Sequence, residues 1–472
     1  MNIVETFFKD CDLDKIAYII DDQSITYRQL QKKTNQYRAV YKAHGISNNA
    51  LILLPESFDL IASILACWSL GIATYHPSVT LPSKTINILY KNANTTHIIT
   101  NTELSTKAQA SCDLINIDTL ELGHEDPEYM DQHIDTHIFY AITTGSTGTP
   151  KMTVHSIYNI LNWAKIYSGQ LDLDQFSTIY TTSKISFNWG VACAISMNLY
   201  RKATCVLNTK IATPKLIKHN IEKYRPTHFF TVPLFIDLLL KSKIDVAFDH
   251  VKLSMSSGDW LPAHLCRQFE KKFHKQLLNA LGSGETVSNY TFTANCDDQN
   301  VNSVGKNIPG VKMKIMDDNK ECASGEIGEI YVSAPFFSET YLNHSDDTTY
   351  EQGWIKTKDL GYINNNGCLV YMGRKNSIFK INGVFINPIE VEKHILEFEG
   401  ISNCIVKPTD VESGVPKLAV DLICNKPIDT ATLRVFLVNR LENNKIPKIY
   451  NVVEDIERTW NGKTQRAIVN AV

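Results

Sequence analysis

The chain has no charge excess, no paired cysteines and no long apolar run, and each absence removes a class of function. Its 47 Lys and Arg are matched by 50 Asp and Glu, for a formal net charge of −3. No basic stripe stands out to bind a nucleic-acid backbone. The eleven cysteines are odd in number and scattered, with no C-x-x-C pair. That argues against a disulfide framework and a zinc site, and for mostly buried thiols in a reducing compartment. The most apolar stretch, Leu60 to Tyr75, falls short of the roughly 18–20 residues a membrane span needs. It is also broken by Ser63, Ser69, Gly71 and Thr74, so a buried helix running into a strand is expected there and no membrane span. The opening Met1-Asn2-Ile3-Val4-Glu5-Thr6 carries an acid early and no signal pattern, so a cytoplasmic protein is expected. What is present is 472 residues, 43% apolar and 21% charged: an ordinary globular composition with length for more than one domain.

Strand and helix signals alternate along the first part. Tyr27 opens a helix capped by Thr26. Ala50–Leu54 reads as a strand, Phe58–Leu70 as a helix, Ile72–Tyr75 as a strand, Pro82–Asn92 as a helix and His97–Thr100 as a strand. Residues 101–135 read as an irregular, solvated connection. Beyond residue 150 the rhythm continues, with a helix from Ile157 and strands near 178–182, 203–207, 227–232 and from Leu253. This is the pattern of a mostly parallel α/β sheet. From about 301 to 373 short strands dominate, a β-rich lobe. A small α+β domain of about 100 residues follows. The fold class is therefore α/β, with a large domain at 1–375 and a small one at 376–472.

Within this frame, Thr143-Thr144-Gly145-Ser146-Thr147-Gly148-Thr149-Pro150-Lys151 follows the apolar run Ile138–Ile142. Glycines let backbone N–H groups turn toward an anion, hydroxyls add donors and lysine adds a point charge, which suits a polyphosphate. A Walker A loop would need Gly at Pro150 and Ser or Thr at Met152, so a P-loop kinase or ATPase is disfavoured. Two more Gly/Ser-rich turns, at Ser257-Gly258 and Gly282-Ser283-Gly284-Glu285, sit where open α/β sheets bind ligands. Ser186-Phe187-Asn188-Trp189-Gly190 breaks the pattern, and its Asn188 either caps the next helix or faces a ligand.

Together these segments resemble the adenylate-forming superfamily of acyl-CoA synthetases, peptide-synthetase adenylation domains and luciferases. Thr143–Lys151 is similar to T-S/T-G-S-T-G-x-P-K, and Asn279–Glu285 to N-x-Y-G-x-T-E. Gly325–Ile330 is similar to G-E-x-G-E-L, and Gly353–Asp359 to G-W-Y-R-T-G-D. Gly373-Arg374-Lys375-Asn376 with Lys380–Gly383 is similar to G-R-x-D followed by I-K-x-x-G, and Asn461–Arg466 to x-G-K-x-x-R. The motifs fall in the family's order, nearest to benzoate-type ligases and stand-alone aryl-acid adenylating enzymes.

The resemblance implies roles. Thr143, Thr144, Gly145, Ser146, Thr147, Gly148 and Lys151 would bind the ATP phosphates, and Glu285 would hold Mg²⁺. Asn279, Ala280 and Leu281 would frame adenine, and Asp359 with Arg374 would bind ribose. Lys463 would bridge the substrate carboxylate and the α-phosphate, with Lys463 and Glu285 the catalytic pair. Asn376 would be a hinge, and Lys380 and Gly383 would belong to the loop met by the thiol acceptor, CoA or phosphopantetheine. Phe187, Asn188, Trp189, Ser257, Gly258 and Gly282 would line the acid pocket. The implied activity is ATP-dependent activation of an aryl or small acyl carboxylic acid as acyl-AMP, followed by transfer to CoA or to an acyl or peptidyl carrier protein. The neutral Asn188 makes an α-amino acid the alternative substrate, and a non-catalytic adenylate-binding protein is the alternative to an enzyme. The chain departs from the family pattern at Leu281 (aromatic), Gly284 (Thr), Asn376 (Asp), Met152 (Gly) and Lys358 (Gly).

Overall fold

The computed structural model describes residues 1–108, 112–144, 150–293, 303–343, 349–381, 384–409 and 417–457. Two α/β sheets form its centre. A seven-stranded sheet has the order Leu277–Asn279, Leu253–Ser256, His228–Thr231, Thr178–Thr181, Thr204–Leu207, Ile16–Ile20, Gln23–Thr26. All its neighbours run parallel except the last pair, a hairpin. A six-stranded sheet runs Asp113–Asn116, His97–Thr100, Asn49–Leu53, Ala73–Tyr75, His137–Thr144, Pro150–Ser156. Parallel strands covered on both faces need apolar side chains throughout, and Asn49–Leu53 is buried along its whole length.

Local signals explain the helices. Tyr27–Ala43 starts at a capping box in which Thr26 and Gln29 satisfy each other's backbone N–H groups. Phe58–Ser69 is capped by Ser57 and buries ten of its twelve residues between the layers, as its unbroken apolarity requires. The helix that follows the Ser186–Gly190 corner begins within it, at Asn188, and is α-helical only at its ends. Ala192–Met197 is a π turn between Asn188–Val191 and Asn198–Arg201.

Two expectations are corrected. Residues 101–135 are not wholly irregular, because Asp113–Asn116 pairs in parallel with His97–Thr100 at the sheet edge. An edge strand with one buried residue carries little of the apolar signal that marks central strands. The second correction is a strand, Pro150–Ser156, directly after the Gly/Thr loop, where the sequence reading passes straight to a helix. It pairs antiparallel with His137–Thr144, joining Thr144 to Pro150 and Thr143 to Lys151. Pro150 lacks an N–H but opens an edge strand, where none is needed.

The β-rich lobe is an eight-stranded antiparallel sheet reaching from Thr291 to Arg374. After it come the hairpin Phe379–Ile381/Val384–Ile386, the helix Pro388–Ile395 capped by Asn387, and a three-stranded sheet with the helix Thr430–Val438. These last elements share their own core around Ile386, Val391, Val420, Leu433 and Leu437. The architecture is a large mixed-sheet region followed by a smaller α+β one. Among the described residues no helix is long and apolar enough to cross a membrane.

Candidate active site

Four neighbouring parallel strands end along one side of the sheet, three of them at candidate residues. Thr178–Thr181 leads to Phe187-Asn188-Trp189, His228–Thr231 to Val232, Leu253–Ser256 to Ser257-Gly258, and Leu277–Asn279 to Ala280 through Glu285. Carboxyl ends of adjacent parallel strands form a natural ligand crevice. The hairpin of the six-stranded sheet closes on this crevice at Gly284. A Cβ added there would lie 2.3 Å from Thr143 Cγ2 and 3.0 Å from Asn188 Nδ2. Glycine is thus dictated by the touching side chains of two other segments, which accounts for the missing motif Thr.

Gly284 is held as well as crowded. Its carbonyl accepts hydrogen bonds from Thr153 Oγ1 at 3.1 Å and from His155 Nε2 at 2.7 Å. Both donors come from the strand that follows the loop. Burial pushes the His155 pKa down to about 4, with the Gly284 carbonyl and the Glu285 charge opposing the shift, so the imidazole is neutral near pH 7. Next along, the Glu285 carboxylate accepts from the Tyr341 hydroxyl. Lys151 Nζ sits 5.1 Å from the centroid of the Tyr341 ring. Tyr341 also bridges to Thr153 in an isolated β contact. Lys151, Tyr341 and Glu285 therefore form one cluster, with lysine on the ring and carboxylate on the hydroxyl.

The antiparallel sheet supplies a second cluster. Asp359 and Arg374 face each other across adjacent strands, with Arg374 Nε 3.0 Å from the buried Asp359 carboxylate. The carboxylate raises the Arg374 pKa. Arg374 also donates to the Thr357 carbonyl, whose own hydroxyl accepts from the Asp359 N–H at 3.1 Å. Tyr290, fully buried, is electrostatically coupled to both Asp359 and Glu285, and burial lifts its phenol well above the usual value. Lys358 keeps the left-handed φ of 60°, so lysine occupies the conformation that the motif's glycine adopts freely, at about 1 kcal/mol.

The segment proposed for adenine is pinned by hydrogen bonds. Asn279 Nδ2 donates to the Ser303 carbonyl at 3.3 Å, the Leu281 N–H to Thr291 Oγ1 and the Tyr290 N–H to the Leu281 carbonyl. Ala280 is buried, and Leu281 packs its side chain against the main core. At Gly282 a Cβ would stand 2.3 Å from the Ser288 carbonyl oxygen, so no side chain fits. Gly258 has φ +91°, a glycine conformation at the turn after Ser256. Ser257 is buried and donates to Asn289 Oδ1 at 2.6 Å, with the Ala280 carbonyl a second, longer acceptor at 3.2 Å, so its hydroxyl supports the pocket wall. Asn188 does not cap its helix; Phe187 is the cap residue, without a side-chain bond. The half-buried Asn188 amide lies against Gly284 instead. Trp189 is buried against Tyr167 and Phe230.

Several expected residues stand apart or undescribed. Asn376 is exposed in a short turn, Lys375–Ser377, between the sheet and the following hairpin. Thr144 and Lys380 are described only as backbone within their strands. Gly145, Ser146, Thr147, Gly148, Gly383 and Lys463 lie outside the described residues. The sequence reading missed Thr153, His155, Tyr290 and Tyr341. For the first two a signal existed. Met152 and Val154 alternate with Thr153 and His155, apolar against polar with period two, and the apolar pair joins a separate core cluster. Tyr341 lies in a short bridged segment that carries no pattern.

Among the described residues no three His, Cys, Asp or Glu side chains gather as a metal site. A single carboxylate, Glu285, fits Mg²⁺, which takes its other ligands from phosphates and water.

Residues 7–342 match the family described as AMP-binding enzyme. The chain is 26% identical to a benzoate–CoA ligase of Thauera aromatica over 360 residues, 74% of this chain and 68% of that one. It is 24% identical over 469 residues to the p-hydroxybenzoic acid–AMP ligase FadD22 of Mycobacterium tuberculosis, covering 96% of this chain and 66% of that one. The chain thus spans about two thirds of the length of these two relatives. In fold it is similar to a benzoate CoA ligase from Burkholderia xenovorans LB400, with a TM-score of 0.89 at 22% identity over 98% of this chain and 99% of the other. With the greater part of its length matched, the chain belongs to the AMP-binding enzyme family.

Proposed function

We propose that this chain activates a small aryl or acyl carboxylic acid as its acyl-adenylate, releasing pyrophosphate, and then transfers the acyl group to a thiol. The observation that carries the reading is the meeting at Gly284 of the phosphate-loop hairpin, the Asn188 corner and the segment bearing Glu285. Lys151 serves the leaving pyrophosphate. Glu285, oriented by Tyr341 and by the clamp on Gly284, holds Mg²⁺, whose charge offsets that of the polyphosphate. Asp359 and Arg374 receive the ribose, and Asn279, Ala280 and Leu281 flank adenine. Attack of a carboxylate on a phosphate brings two anions together, and Lys463 supplies the cation between them. Because Lys463 belongs to the small domain, 376–472, that domain closes for adenylation. It then turns at Asn376 to bring Lys380 and Gly383 to the acceptor, CoA or the phosphopantetheine of a carrier protein.

The neutral Asn188 beside Gly284 favours an acid without an ammonium group. The named activities of the benzoate–CoA and p-hydroxybenzoic acid–AMP ligases above support an aryl acid. The test is acid-dependent ATP–pyrophosphate exchange over aryl, acyl and amino acids. Exchange with a carboxylic acid is expected. Nucleotide binding with no exchange across the panel would replace the enzyme reading with that of a non-catalytic adenylate-binding protein.

A further inference from the structure

Asn188 stands on a corner, residues 184–190, that is held from outside itself. The strand Thr178–Thr181 ends just before the corner, and the helix Asn188–Val191 begins inside it. The turn is tight. The Phe187 N–H donates to the Lys184 carbonyl at 2.9 Å, and a Cβ added at Gly190 would lie 1.8 Å from that same carbonyl oxygen. Backbone packed this closely has no slack to absorb strain, so a shift at Lys184 or Ile185 is passed on to Asn188.

Glu56 holds both of those residues. It follows the interior strand Asn49–Leu53 of the six-stranded sheet, at that strand's carboxyl end. Glu56 is buried, as is Ile185. The Ile185 N–H donates to one carboxylate oxygen at 3.0 Å, and Lys184 Nζ lies 3.4 Å from the other. The same ammonium donates to the carbonyls of Asn208, Thr209 and Lys210, the last two at 2.8 and 3.0 Å. Glu56 therefore ties the end of one sheet to the corner of the other, and Lys184 ties that corner to the segment after Thr204–Leu207. The cavity beside the pair, about 10 Å³, has room for no more than one water, so solvent cannot take over all of these contacts. A buried ion pair is weak evidence for stability, because both ions give up hydration, and fixing one arrangement is the better-attested use. Here the arrangement fixed is the corner whose Asn188 amide lies against Gly284.

We propose that Glu56 is a positioning residue for the acid: through the Ile185 N–H and the Lys184 ammonium it sets the 184–190 corner that presents Asn188 to the crevice. The inference rests on the acid-activating reading above. It adds a residue that lies outside every motif-like segment of the sequence.

The test reads the KM for the acid and the KM for ATP separately in pyrophosphate exchange, using the acid that supports the fastest exchange. Glu56→Met keeps the length of the side chain and deletes both acceptor oxygens. It is expected to raise the KM for the acid at least about tenfold, as a small displacement of a binding geometry can, and to leave the KM for ATP within about threefold. Glu56→Gln keeps an oxygen for the Ile185 N–H and is expected to recover most of the lost acid affinity. Lys184→Met removes the cation from the second carboxylate oxygen and is expected to raise the KM for the acid at least about fivefold, again without a matching change for ATP. It carries the test should Glu56→Met not fold. A KM for the acid within about threefold of the unmodified enzyme in these variants overturns the proposal. So does an equal rise in both KM values, which would mark the pair as general support for the fold, and so does a Glu56→Gln enzyme as impaired as Glu56→Met. In each case the unmodified enzyme still exchanges and the acid-activating reading stands; an unmodified enzyme that exchanges with no acid would remove both.

Discussion

Replacing Gly284 by Thr restores the residue usual in the family's motif, and here it should impair the enzyme. The added Cβ falls 2.3 Å from Thr143 Cγ2, against about 3.5–4.0 Å for an ordinary carbon contact. Thr143 is β-branched and stiff, and its hydroxyl donates to the Lys151 carbonyl at 3.4 Å. Gly284 cannot retreat either, because Thr153 and His155 hold its carbonyl. Overpacking of this kind costs about 1–3 kcal/mol, and displacement of a reacting geometry by about 1 Å can cost about a hundredfold in rate. Gly284→Thr is thus expected to lower kcat/KM for pyrophosphate exchange by at least about tenfold, and Gly284→Ala by somewhat less. Thr143→Ser deletes Cγ2 and keeps the hydroxyl. Combined with Gly284→Ala it should recover about 1 kcal/mol or more as the coupling term of a double-mutant cycle on kcat/KM. A Gly284→Thr enzyme at full activity, or a cycle with no coupling, would refute the claim that the two segments meet at this glycine.

Asp359→Asn leaves Arg374 facing a neutral group and is expected to raise the KM for ATP at least about tenfold; an unchanged KM would sever the pair from nucleotide binding. His155 is neutral and buried with its pKa held at about 4, below the ordinary 6.5. The unfolded chain therefore binds a proton that the folded one excludes, and stability present at pH 7 is lost as the pH falls from about 6.5 toward 4. Denaturation midpoints should drop over that window, and drop less in His155→Gln; identical slopes would discount the imidazole. Lys463→Ala should abolish adenylation while sparing thioester formation from preformed acyl-adenylate, and equal loss of both steps would contradict a two-orientation cycle.

The parallel sheets were legible because central strands and amphipathic helices carry the two periodicities that sequence reveals, as at Asn49–Leu53 and Tyr27–Ala43. The edge strand Asp113–Asn116 was not, since half-exposed residues carry little apolar pattern. Candidate residues that sit in contiguous motifs, such as Lys151, Glu285, Asp359 and Arg374, could be named because those motifs resemble the family's. Their contacts could not. Tyr341 reaches Glu285 across fifty-six positions, and His155 reaches Gly284 across one hundred and twenty-nine. Long-range pairings of this sort leave no periodic trace in one sequence. Gly284 shows the difference most clearly: as a motif departure it looked like a loss, and in the fold it is the one residue small enough for Thr143 and Asn188 to close around.

The most direct test of acyl-adenylate chemistry follows oxygen. An acid labelled with ¹⁸O in its carboxylate is incubated with ATP, Mg²⁺ and a thiol acceptor, and the nucleotide product is weighed by mass spectrometry. Attack of the carboxylate on the α-phosphate, followed by thiol attack on the acyl carbon, leaves one carboxylate oxygen on AMP. Singly labelled AMP is the expected result, whereas unlabelled AMP or release of ADP would contradict it.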